Sequence, residues 1–153
     1  MMREHDEHTT LFEISLPSLL KDYIFVDKTE IQPQEIIILH KAVGWVGDTV
    51  NHWQEIIDQP LGVIIGTRYK GKLIGMGRMT ADPRHAVLCD LAVHPKHQHN
   101  GIGTALVAER MHIAQDRKIP YLYTELAPTN PLRSLYKDLG FVATGNGMFR
   151  NSK

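Results

Sequence analysis

The chain has 153 residues, 42% of them hydrophobic and 22% charged, ordinary values that fit one globular domain and exclude wholesale disorder. Seventeen Lys and Arg balance seventeen Asp and Glu, which removes a broad basic surface and the whole-chain case for a nucleic-acid binder. The balance hides an asymmetry: residues 1–60 hold eleven acids and four bases, and residues 61–153 six acids and thirteen bases. An anion meeting the second half and a cation meeting the first is the expectation from that pattern.

Cys89 is the single cysteine, so no internal disulfide forms and a tetrahedral zinc site would need mainly His ligands. No apolar run approaches the ~20 residues of a membrane span. The acidic, His-rich start lacks the basic flank and apolar core of a secretion signal. A cytoplasmic protein without a membrane partner is expected.

Residues 1–22 read as a partly frayed N-terminal extension to a single domain over 23–153. Tyr23–Lys28 is strand-like. Gln32-Pro33 opens a helix that Ile36 to Val43 continue and Gly44 stops. Asp48 can cap a second helix, with Val50, Trp53 and Ile57 on one face. Leu61–Tyr69 and Lys72–Thr80 are strands around Lys70-Gly71, a hairpin signal. Asp82-Pro83-Arg84 is a turn, and Ala86–Val93 is an apolar run suited to a central strand, interrupted by Asp90. After a polar loop, Gly101 starts a helix whose Ile102, Ala105, Leu106 and Ile113 share a face, and Lys118-Ile119-Pro120 ends it. Tyr121–Glu125 is a short strand. Asn130-Pro131 opens the next helix, carrying Leu132, Leu135, Tyr136 and Leu139, and Gly140 closes it. Phe141–Ala143 and Met148–Arg150 flank a Gly-Asn-Gly turn. The order βααβββαβαββ predicts one α/β sheet with hairpins first and crossovers later.

The most informative stretch is Leu88–Leu106. A strand feeds a polar loop with two glycines and then a helix, whose first N–H groups and positive dipole end are unpaired. Gly101 and Gly103 carry no side chains, so a pyrophosphate can approach the backbone there. A plain strand-to-helix turn uses glycines too. A dinucleotide fingerprint with Glu125 as its distal acid fits poorly, because Leu106 replaces the third glycine and too little chain follows.

Gln98-His99-Asn100-Gly101-Ile102-Gly103, preceded by Leu91-Ala92-Val93-His94-Pro95, resembles the Q/R-x-x-G-x-G/A acyl-CoA signature of the GNAT acetyltransferase superfamily. Further on, Leu135-Tyr136-Lys137-Asp138-Leu139-Gly140-Phe141 is similar to that family's L-Y-x-x-x-G-F segment. The resemblance implies a single-domain GNAT-like α/β fold, with a mixed, mostly antiparallel central sheet flanked by about four helices. It implies acetyl-CoA as co-substrate, and a homodimer is common among similar proteins. The backbone of Gln98, His99, Asn100, Gly101, Ile102, Gly103 and Thr104 would bind the CoA pyrophosphate. Leu91 and Val93, with Ala92 between them, would offer main-chain hydrogen bonds to the pantetheine arm. The Val93 amide or its neighbour would polarise the thioester carbonyl. Tyr136 would protonate the leaving thiolate, a mildly uphill transfer from a phenol near pKa 10 to a thiol near 8.5. His99 stands where many relatives have Gly. The asparagine that commonly lies seven residues before the tyrosine is replaced by Thr129, so Asn130, one later, is the candidate for that contact.

An acceptor amine of pKa about 10 costs about 4 kcal/mol to deprotonate at pH 7, so a base or a water chain is needed. Asp90, an acid inside an apolar strand, and Glu125, at the end of the next one, are the candidates. Either is equally readable as a strand carboxylate paired with Arg78 or Arg84. In the superfamily the first two helices select the acceptor, and here that span holds Trp45, His52 and Trp53. A small primary amine drawn by negative charge and held by Trp45 and His52 is the expected partner, with Trp53 a core residue. His94, His97 and His99 have a metal-like spacing, but the single cysteine and the lack of nearby acids other than Asp90 favour no metal. A non-catalytic acyl-CoA binding module and a protein N-acetyltransferase are the alternatives.

Overall fold

Lys70 and Gly71 both take left-handed backbone angles (φ 49° and 81°) and close a two-residue hairpin between β2 (Val63–Tyr69) and β3 (Lys72–Ala81). In this computed structural model, which describes residues 21–151, the sheet grows outward from that hairpin. Its seven strands add β1 (Tyr23–Asp27), β4 (His85–Val93), β5 (Tyr121–Glu125), β6 (Val142–Thr144) and β7 (Gly147–Asn151), in the order β1-β2-β3-β4-β5-β7-β6. Every pairing is antiparallel except β4 with β5, which the helical crossover makes parallel. Four α-helices flank the sheet: α1 (Pro33–Ala42), α2 (Val50–Ile57), α3 (Ile102–Asp116) and α4 (Arg133–Asp138). The element order is the one the sequence predicts. Most of the expected extension, residues 1–22, lies outside the described residues.

The two faces of the sheet carry separate cores. On one, Ile74, Met79, Leu88, Leu122 and Met148 meet Ile102, Leu106, Val107 and Ala114 of α3 and Tyr136 of α4. On the other, Ile64, Leu73, Met76 and Ala92 meet Ile36 and Leu39 of α1 and Trp53 of α2. Strand alternation sorts side chains between the faces, and the register shifts reset it, so that Ile74 and Met76, and Leu88 and Ala92, an even number of residues apart, lie on opposite faces. α1 is fixed at its start by chemistry legible in its sequence: Pro33 occupies the first turn, and Glu35 Oε2 accepts the Gln32 N–H at 2.9 Å. Arg68 of β2 then grips both Glu35 oxygens, at 2.6 and 2.9 Å. That guanidinium holds the Glu35 carboxyl below its ordinary pKa, against a smaller opposing effect of burial.

Three boundaries differ from expectation. α2 is capped by Thr49, whose hydroxyl accepts the His52 N–H at 3.2 Å, and not by Asp48, which turns back to His40. α4 begins at Arg133, because Asn130 first spends its side-chain oxygen on the Leu132 N–H in a local turn. α3 begins at Ile102, with Gly101 as its left-handed cap. Leu106, fully buried on α3, is the knob that seats this helix on the sheet. Leu106→Ala is expected to cost about 2–5 kcal/mol of unfolding free energy in urea denaturation.

Candidate active site

The parallel ladder of β4 with β5 runs from His85–Tyr121 to Leu88–Thr124. β4 continues from Cys89 to Val93 with no further register on β5, which is drawn away by its antiparallel pairing to β7 as far as Glu125–Gly147. The fork is pinned by Thr124, a buried hydroxyl that donates to the Leu88 carbonyl at 3.0 Å. Sequence reading assigned Thr124 no role, since a threonine in a strand carries no signal of its own.

β4 is also bulged. Met76 pairs with Ala92 and Arg78 with Cys89, so Gly77 faces two residues, Asp90 and Leu91. Asp90 takes φ 52°, a left-handed conformation rare for a side chain other than Gly, Asn or Asp. Beyond the bulge, the His94 N–H donates to the Ile74 carbonyl at 2.7 Å, across the Gly75–Val93 pair. Such a pair is of the non-hydrogen-bonded kind, so the N–H and C=O of Val93 point away from β3, toward the fork. Alternation gives Leu91 the same aspect, while Ala92 faces β3. The Val93 carbonyl accepts Gln98 Nε2 at 2.9 Å, so the Gln98 side chain ties the loop to the strand end.

The loop then sets up the start of α3. Pro95–His97 form a 3₁₀ turn, His94 Nδ1 accepts the Lys96 N–H at 3.1 Å, and Asn100 Nδ2 donates to the His97 carbonyl at 3.3 Å. His97 Nδ1 shares a 2.8 Å hydrogen bond with the Tyr23 hydroxyl, and its ring lies against Tyr23 and Tyr69. Burial, then the nearby His94 and Lys96, lowers the His97 pKa, which favours the neutral ring that accepts the phenol proton. His99 (φ 65°) and Gly101 (φ 84°) reverse the backbone. The first intrahelical bond is Ala105 N–H to Gly101 C=O at 3.1 Å, so the amides of Ile102, Gly103 and Thr104 are those a helix start leaves over. A Cβ built on Gly103 would meet nothing within 4 Å. The loop thus presents a row of helix-start amides, an arrangement suited to an anion, beside the open edge of β4.

Tyr136 is 2% exposed and packs edge-on against Phe141, on the α3 side of the sheet. Asp90 is bound by Arg78, whose Nε donates to Oδ2 at 2.6 Å, the ion-pair alternative the sequence allowed. Glu125 is exposed at the end of β5. Cys89 is half-buried beside them, with its thiol pKa pushed up by burial. Asn130 makes the local turn already described.

On the opposite face, Trp45 is 42% exposed between α1 and α2, and its ring meets His40 at 4.9 Å. His40 is buried between Trp45 and Trp53 and shares a 3.1 Å hydrogen bond with Asp48, which holds that carboxyl below its usual range. His40 Nε2 is buried with no hydrogen-bond partner. His52 is exposed on α2, and Trp53 is core as expected. A cavity of about 400 Å³ opens on this side, with Ile56, Leu61, Ile64 and Arg78 in its wall. Among the described residues no three His, Cys, Asp or Glu converge on a metal-sized site, and no helix is long and apolar enough to cross a membrane.

Gly103→Asp separates structure from binding, because its new side chain starts in open space at a helix start that tolerates an acid. Its melting temperature is expected to match wild type, while CoA affinity by calorimetry is expected to fall about ten-fold or more if the loop takes the phosphates, since the new carboxylate repels them.

A model of the acetyltransferase (GNAT) family matches residues 28–141. No curated protein matches the chain by sequence. Among solved structures, the PaiA N-acetyltransferase of Thermoplasma acidophilum in complex with coenzyme A superposes with TM-score 0.70 at 16% identity, covering 84% of this chain and 98% of that one. The ribosomal-protein-S18-alanine N-acetyltransferase of Escherichia coli gives 0.69 at 17%, covering 83% and 90%. Aminoglycoside 6'-acetyltransferase type Ii gives 0.68 at 17%, covering 84% and 96%.

Proposed function

Because the chain belongs to the acetyltransferase (GNAT) family, with acetyl-CoA as its acyl donor, we propose that it acetylates the primary amine of a small molecule by direct attack in a ternary complex. The observation that carries this reading is the fork: a bulged β4 leaves the main chain of Leu91 and Val93 facing the gap beside β5, next to a glycine-opened helix start. The pantetheine arm would complete the missing ladder, as a strand added to an edge. The Gln98–Thr104 backbone would hold the pyrophosphate, with Lys96 the nearest loop cation.

In the reaction the amine nitrogen attacks the thioester carbonyl, whose oxygen gathers charge that the Val93 amide stabilises. The C–S bond then breaks, and Tyr136 gives its proton to the sulfur. The ammonium proton leaves to Asp90, directly or through water, with Glu125 the second candidate. The half-buried Cys89 thiol, its pKa raised and its hydrogen directed to the Val87 carbonyl at 3.7 Å, is poorly set up as a covalent carrier. That supports direct attack.

A small acceptor is supported by the cavity walled by the end of α2, the start of β2 and the end of β3, which shares Arg78 with the Asp90 ion pair. Trp45 and His52 do not line it and would hold the part of the acceptor that stays outside it. The named relatives include an enzyme for aminoglycosides and one for a protein's alanine, so a protein amine is the competing acceptor.

Thiol release from acetyl-CoA is the test, run with polyamines, arylalkylamines, amino acids, aminoglycosides and N-terminal peptides. The expected result is saturable release with a small amine, retained in Cys89→Ala. Release with peptides alone would move the acceptor to a protein. CoA binding without release from any amine would favour a non-catalytic module.

A further inference from the structure

The cavity proposed for the acceptor has an uneven chemistry. Ile56, Pro60, Leu61 and Ile64 give it apolar walls, and Arg78 is its one charged wall residue. Alternation along β3 explains the place of that cation. Gly77 lies against α3 and Met79 is core on the same side, so Arg78 between them is on the α1–α2 face, where Ile64 is core. The loop over 59–62 that closes the wall is held by two further cations. Lys28 Nζ donates to the Gln59 carbonyl at 2.6 Å, and Arg117 Nη1 to the Leu61 carbonyl at 2.8 Å. Among the described residues the wall holds no carboxylate, so an acceptor with several ammonium groups would meet apolar surface and like charge there.

Arg78 joins this cavity to the β4 bulge. Its Nε donates to Asp90 Oδ2 at 2.6 Å, with the two side chains 21% and 32% exposed. Among the described residues that contact is the one hydrogen bond either side chain makes, which leaves both Nη groups of Arg78 and Oδ1 of Asp90 available. A guanidinium meets a carboxylate best through two parallel N–H groups, so much of its capacity is unused. The pair is also held in place. Arg110, fully buried on α3, donates Nη1 to the Arg78 carbonyl at 2.7 Å and to the Cys89 carbonyl at 3.2 Å, one on each strand, and Asp90 is fixed by its left-handed backbone. A set cation and a set anion thus stand side by side between an apolar cavity and the strand end at Leu91. The complement of that arrangement is a ligand with an anion and a cation side by side and an apolar substituent.

We propose that the acceptor is an apolar α-amino acid, its carboxylate on the Arg78 guanidinium, its ammonium on Asp90 and its side chain in the cavity. The inference rests on the proposed transfer of acetyl to a small amine and names the class of that amine. The cavity volume of about 400 Å³ leaves room for one apolar side chain. In the step, the ammonium gives one proton to Asp90, and the freed nitrogen forms the C–N bond. The C–S bond breaks, and its electron pair ends on sulfur and takes a proton from Tyr136. The proton on Asp90 returns to Tyr136 through solvent, so the free enzyme is restored. The amide product no longer carries the cation that Asp90 held, which weakens its hold on the site.

The test is thiol release from acetyl-CoA with alanine, leucine, methionine and phenylalanine, each beside its amide and its decarboxylated amine, and with a polyamine. In wild type, kcat/KM for leucine, methionine and phenylalanine is expected to exceed that of their amides and amines about ten-fold or more, with alanine and the polyamine poorer than leucine. Arg78→Gln is expected to bring the acid-to-amide ratio to within about three-fold of one, a ratio that partial unfolding or slower chemistry does not alter. Ile56→Trp, which narrows the cavity, is expected to lower phenylalanine about ten-fold relative to alanine, and it stands as the second variant should Arg78→Gln not fold. Amides or decarboxylated amines as good as the acids in wild type, or a ratio unmoved in folded Arg78→Gln, would overturn the proposal and leave a small amine of another class as acceptor. CoA binding with no release from any of these, or release from N-terminal peptides alone, would instead bring down the small-amine reading itself, a signature distinct from the first.

Discussion

A parallel pair of strands that stops pairing halfway is the constraint on which this site depends. Main-chain N–H and C=O groups seek partners, and those of β4 beyond Leu88 have β3 on one side and an opening on the other. The opening is maintained from both edges. β7 holds β5 away, the Thr124 hydroxyl fixes the apex, and the bulge at Asp90 re-aims β4. Much of the surrounding fold then reads as support: Leu106 seats α3, Gln98 ties the loop to Val93, and Tyr23 and Tyr69 brace His97 from the far strand edge.

Charge has a smaller part than the sequence asymmetry indicates. Of the eleven acids in residues 1–60, four lie at positions 4, 6, 7 and 13, outside the described residues. Others are occupied structurally: Glu35 by Arg68, Asp48 by His40, and Asp27 by the amide and hydroxyl of Thr29. Exposed pairs of this kind add little stability and leave little field to steer a cation. On the other side, the loop proposed for the cofactor offers amides at a helix start more than side-chain cations. On the proposed reading, recognition at both ends is short-range and geometric.

The element order, the two-residue hairpin and the core position of Trp53 were all legible, because each is a local consequence of residue type. The fork itself was not read from the sequence, since no local pattern says where two distant strands part; the family resemblance implied only that the main chain of Leu91 and Val93 is open to the pantetheine arm. Asp90 was visible as an acid in an apolar run and Arg78 as one of two possible partners, but the choice of Arg78 over Arg84 depends on register across a bulge, which no local pattern gives. Arg110 was visible in principle: it follows Leu106 by four residues and so stands on the buried stripe of α3, where a charge is an anomaly. The cap of α2 was misjudged by one residue because Asp48 found a better partner in His40.

The central claim is that acetyl-CoA fills the fork by completing the β4 ladder. Amide hydrogen exchange with and without CoA tests it most directly. The account predicts slowed exchange at Leu91 and Val93 and at Ile102, Gly103 and Thr104, with Ala92, already bonded to β3, little changed. Protection spread elsewhere, or none at Leu91 and Val93 despite tight CoA binding, would contradict it.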